Sequence, residues 1–102
     1  MSTLHTINKS PFERGAMASC LAHAAKGDAV LMIEDGVFGA RKGTAFAKAV
    51  EGGRANFAIY ALGPDLAARG VKSEDLVEGV EVVDYGGFVD LVAGHARVCA
   101  WL

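Results

Sequence analysis

Val30-Leu31-Met32-Ile33, preceded by Ala29 and followed by Glu34-Asp35-Gly36, is an unbroken apolar run between turn signals. A strand with one wet face alternates apolar and polar residues, whereas a strand covered by helices on both faces does not. The run therefore reads as an interior strand of a parallel sheet. Outward from it, β-rich stretches at 3–7, 57–62, 80–83 and 98–101 join 29–33 as strands. Helical stretches fall between them at 11–26, 42–51, 64–69 and 88–95, with Gly27, Gly52 and Gly70 as stop signals. Segment 73–78 reads either as a short helix or as an acidic loop.

This alternation is the α/β pattern, and right-handed crossovers make an open, doubly wound sheet of about five mainly parallel strands the simplest closure. The chain has 102 residues, 52% of them hydrophobic, which suits one domain over 1–102 with a modest core. Phe38, Phe88, Trp101 and Leu102 fall near loops or the terminus and are candidates for subunit contacts. Trp101 either docks into the sheet or inserts into a partner.

Ten basic and twelve acidic residues are intermixed, for a formal charge of −2, so there is no electrostatic footprint for nucleic acid or an anionic membrane. The longest stretch without Asp, Glu, Lys or Arg, 15–25, is too short to span a bilayer. His5, Asn8 and Lys9 stand where a signal peptide would place its apolar region, so the cytoplasm is the expected location. The sequence holds neither a nucleotide-binding glycine motif nor a metal-ligand spacing, and no cofactor or metal is expected.

The chemical lead is Cys20, one of two thiols. Ser10-Pro11-Phe12-Glu13 has the form of a capping box with proline at the first helical position, which starts a helix at residue 11. At about 100° per residue, Cys20 sits about 60° from Met17 on the apolar side and about 60° from His23 on the polar side. Two readings of Cys20 follow. It is a rim thiol that a charged His23 favours as thiolate, or a small hydrophobe at the edge of the core. Cys99 lies on the terminal strand, where desolvation is expected to keep it inert. Ligands in such a sheet gather beyond the carboxyl ends of the strands, here 8–10, 34–37, 62–65 and 84–87.

Leu4-His5-Thr6-Ile7-Asn8-Lys9-Ser10-Pro11, Gly27-Asp28, Glu34-Asp35-Gly36-Val37, Tyr60-Ala61-Leu62, Ala68-Arg69-Gly70, Asp84-Tyr85, Phe88-Val89 and the near-terminal Trp101 resemble, in order, the DsrH/TusB family of sulfur-relay subunits. The resemblance implies a DsrE-like fold and a sulfurtransferase heterohexamer with two related subunits, DsrE-like and DsrF-like. It also implies passage of persulfide sulfur to a small carrier of the DsrC/TusE kind. One family branch serves tRNA thiolation and typically lacks a cysteine matching Cys20; the other, DsrH of the DsrEFH complex, serves dissimilatory sulfur oxidation. Cys20 points to the second. The resemblance implies that the principal acceptor thiol belongs to the DsrE-type subunit, in a loop where this chain has Gly63-Pro64-Asp65, and that Cys20 is a secondary acceptor rather than the main one. The alternative is a structural, non-catalytic subunit of that complex or of the related tRNA-thiolation relay.

Overall fold

The computed structural model describes residues 2–44, 47–53 and 56–102. Five strands, β1 (Thr3–Ile7), β2 (Ala29–Met32), β3 (Ala58–Leu62), β4 (Glu81–Val83) and β5 (Arg97–Trp101), form one sheet in the order β4-β3-β2-β1-β5. Every pairing is parallel, with Ile7 opposite Met32 on one side and Trp101 on the other. The helices are α1 (Ala16–His23), α2 (Ala47–Gly53), α3 (Gly63–Ala68) and α4 (Tyr85–Gly94).

The strand order explains how the core is divided. Chain travel from β1 to β4 steps one way across the sheet, while β5 returns to the far side of β1. Right-handed crossovers then place the first connections on one face and α4 on the other. On the first face Ile7, Val30, Met32, Ile59 and Ala61 meet Met17, Cys20, Val37, Val50 and Leu66. On the second, Leu4, Ala29 and Leu31 are covered by Phe88 and Leu91 of α4.

Helix α1 is half the length that its sequence signals predict, running Ala16–His23 rather than 11–26. Ser10 caps a turn instead of the helix: its Oγ accepts the Phe12 N–H at 3.2 Å and its carbonyl accepts those of Glu13 and Arg14. At the other end Ala24 is extended, and the Ala25 N–H is taken by the Asp28 carboxylate at 2.9 Å. Both ends thus find partners outside the helix, which removes the reason for it to continue.

Three other stretches differ from their sequence reading. A 3₁₀ segment, Glu34–Ala40, replaces the expected loop; Glu34, at φ 49°, is held by its N–H bond to Asp65 Oδ2 at 2.6 Å. Residues 42–44 form a turn rather than the start of a helix, with Arg41 bridging Leu76, and positions 45 and 46 of that expected helix lie outside the described residues. Helix α4 starts at Tyr85 rather than 88, because Asp84 Oδ1 accepts the Gly87 N–H at 2.8 Å. Segment 73–78 resolves to a 3₁₀ turn, Ser73–Asp75, followed by the buried Val77. Among the described residues no helix is long and apolar enough to cross a membrane.

Candidate functional site

Helix α1 turns Cys20 into the core, where it is 0% exposed and packs in the same cluster as Met17, Val30 and Val37. The rim position read from the helical wheel is therefore corrected. The wheel omits Trp101, which packs on this cluster from β5 with its ring centroid 5.8 Å from that of His23, closing the flank that looked open. Burial, followed by the nearby charges of Cys99 and Asp28, pushes the Cys20 thiol up to about 12. Its thiolate fraction near neutrality is then about a thousandfold below that of a thiol at 9.0.

His23 is held by its own helix. Its Nδ1–H donates to the carbonyl of Ser19 at 2.7 Å, which fixes the tautomer and leaves the Nε2 lone pair outward. Cys99, expected to be buried, is exposed. It lies on β5, a sheet edge whose strand partner among the described residues is β1. The two thiols have exchanged environments relative to the sequence reading. With iodoacetamide under native conditions Cys99 is expected to be alkylated while Cys20 stays protected until the chain is unfolded. Comparable labelling of both by peptide mass spectrometry would contradict the burial.

Trp101 joins a buried polar network that the sequence did not reveal. Its Nε1–H donates to His5 Nδ1 at 3.0 Å, and His5 Nε2 donates to Asp28 Oδ2 at 2.9 Å. Asp28 also accepts the N–H groups of Thr3, at 3.0 Å, and Ala25. Burial alone would raise this carboxyl, but the donors from Ala25, His5 and Thr3 outweigh it and bring it to about 2. The network ties the terminal strand, β1 and the start of β2 together. The only signal for it was Gly27-Asp28 before an apolar strand, which reads as an ordinary turn.

In the loops beyond the carboxyl ends of the strands three carboxylates have internal partners, while Asn8 Oδ1 is buried without a hydrogen-bond partner among the described residues. Asp35 pairs with Arg69 at 2.8 Å, Asp65 holds the Glu34 N–H, and Asp84 caps α4. A cavity instead opens toward the start of β1 and β5, lined by Thr3, His5, His23, Asp28, Arg97 and Cys99 among others. Among the described residues no group of three or more His, Cys, Asp or Glu is placed to hold a metal ion.

The model of the family described as "DsrH like protein" matches residues 9–98. The chain belongs to the DsrH/TusB family. Protein TusB of Shigella flexneri is 33% identical over 98 residues, covering 96% of this chain and 99% of that protein. Protein TusB of Photorhabdus laumondii is 34% identical over 100 residues, with the same shares covered. Among solved structures, the ychN protein from E. coli superposes with a TM-score of 0.79 at 12% identity, covering 98% of this chain and 99% of its own. A protein of unknown function from Methanobacterium thermoautotrophicum gives 0.74 at 21%, covering 96% and 97%. These two share the α/β fold of this DsrH/TusB chain, a five-stranded parallel sheet of the DsrE-like kind. Membership makes the chain a sulfur-relay subunit.

Proposed function

We propose that residues 1–102 form one DsrH/TusB-like domain that acts in the cytoplasm within a heterohexameric sulfurtransferase, with DsrE-like and DsrF-like subunits. The complex relays persulfide sulfur to a small carrier of the DsrC/TusE kind. In that complex this chain's main task is assembly and docking. The observation that carries this reading is an apolar stripe on the outer side of α4: Tyr85, Val89 and Val92, spaced i, i+4, i+7, are 60%, 66% and 41% exposed. Val98 and Leu102 extend the exposed apolar surface at the terminus. A helix with Phe88 and Leu91 on the sheet and a second apolar stripe facing out has the pattern of an element that packs on two sides.

The burial of Cys20 supports the assembly role over that of sulfur acceptor at rest, and secondary acceptance there would require α1 to lift from the sheet. The presence of Cys20 favours the sulfur-oxidation branch, while the TusB relatives favour relay toward tRNA thiolation. Which carrier the assembled complex loads separates the two. Co-expression with its two neighbouring subunits is expected to give one assembly in size-exclusion chromatography. Val89→Glu should abolish co-purification while leaving the circular dichroism of the chain unchanged. A stable monomer indifferent to those subunits would overturn the proposal.

A further inference from the structure

The cavity beside β5 brings together groups that the relay reading does not use. It measures about 380 Å³, at the small end of ligand sites, and holds the exposed Cys99 with His23, Arg97, His5 and Asp28. Cys99 stands opposite His5 in the β1–β5 register, and Arg97 lies two residues earlier on the same strand face. With its Nδ1 proton committed to Ser19, His23 has an Nε2 lone pair with no hydrogen-bond partner among the described residues. Arg97 makes no ion pair among the described residues, where the ion pairs are His5–Asp28, Arg69–Asp35 and Arg69–Asp65. The one carboxylate in the cavity, Asp28, already accepts from Thr3, Ala25 and His5, so its charge is directed inward. A nucleophile, a base and a cation without an ion pair among the described residues therefore share one small cavity, which Ala25 and Val98 also line.

We propose that Cys99 is a sulfur-accepting site for small persulfide or polysulfide anions, with His23 as the base for its thiol and Arg97 as the cation that holds the donor. The Cys99 thiolate attacks the outer sulfur of the donor, forming a new S–S bond as the donor's own S–S bond breaks. The thiol proton passes to His23 Nε2 and on to the departing sulfur anion. One sulfane sulfur changes partner, so no external oxidant or reductant is needed. The proposal rests on the relay reading only for its physiological donor, and its chemistry is read on the unassembled chain.

The test uses the full chain with inorganic polysulfide as the probe. Peptide mass spectrometry is expected to find one added sulfur atom on Cys99, removed by dithiothreitol, with Cys20 unmodified. His23→Gln should slow loading about tenfold, the size of a modest general-base contribution. Arg97→Gln should slow polysulfide loading severalfold yet leave alkylation by the neutral iodoacetamide unchanged, which a merely structural role would not do. Sulfur on Cys20 alone, no sulfur on Cys99, or loading at the wild-type rate in both variants overturns the proposal. Because loading is read on the chain alone, failure to assemble in size-exclusion chromatography would count against the relay complex and not against this site.

Discussion

Replacing Gly36 by alanine is expected to cost the fold more than the same change at Gly39 or Gly94. A Cβ at this position would land on the carbonyl of Ile7, with the Ile7 carbonyl carbon at 2.8 Å and Asn8 N at 3.4 Å. These are backbone atoms, and the Ile7 oxygen cannot withdraw, because it accepts the Ile33 N–H at 2.9 Å. Gly36 is itself tied to the Ile33 carbonyl at 2.9 Å, so β1 and the 3₁₀ segment after β2 are pinned against each other. Relief requires breaking one of these bonds or moving a core strand, at a cost of about 3 kcal/mol or more. For a domain of this size that lowers the melting temperature by more than about 10 °C.

Two other glycines calibrate the result. At Gly39 the added Cβ meets Met17 Sδ and Cε, the far end of a flexible side chain, and a smaller loss of about 1 kcal/mol is expected. At Gly94 nothing lies within 4 Å, and alanine should leave stability within about 0.5 kcal/mol or raise it slightly. Thermal unfolding of the three variants checks the order. A Gly36→Ala protein melting beside wild type would show that Ile7 and the 3₁₀ segment are not in close contact.

β2 was legible because it is buried on both faces, so its apolar run carries no ambiguity of period. Each observed strand lies within a residue of its expected bounds. Helix ends were less legible, since they depend on distant acceptors: α1 stops where Asp28, four residues beyond its C-cap Ala24, captures the Ala25 N–H. The burial of the two thiols was misread for a topological reason. Strand alternation places Arg97, Cys99 and Trp101 on one face, but only the return of the chain from β4 to the outside of β1 makes β5 an edge. That single crossover exposes Cys99, and it brings Trp101 over α1 to bury Cys20. Neither consequence is local in sequence. Asp28 was missed likewise, because a carboxylate serving residues 3, 5 and 25 looks from its neighbours like a turn residue.

The last prediction turns on the direction of the protons in that network. Trp101 Nε1–H can only donate, so His5 Nδ1 must accept and His5 Nε2 must carry the ring proton, which it gives to Asp28. All three groups that reach Asp28 are therefore donors, and they need an acceptor at both carboxylate oxygens. Asp28→Asn supplies one oxygen and one NH2. In either orientation the NH2 confronts an N–H, either that of Thr3 or those of Ala25 and His5. Turning the His5 tautomer to receive the amide would set Nδ1–H against the Trp101 indole. A buried clash of donors costs about 2–4 kcal/mol, and its effect should reach Trp101, whose fluorescence, from the only tryptophan in the chain, reports the loosened terminus. The pH dependence supplies the second half. With the native carboxyl at about 2 and its ordinary value at 3.8, the unfolded chain binds more protons between these two values. Wild-type stability from this group is thus complete above pH 3.8 and is lost as pH falls toward 2. The amide cannot titrate, so the gap between wild type and Asp28→Asn should narrow by about 2 kcal/mol over that interval. Urea unfolding followed at Trp101 measures it, and a gap independent of pH would mean that the Asp28 carboxyl is not held low by its three donors.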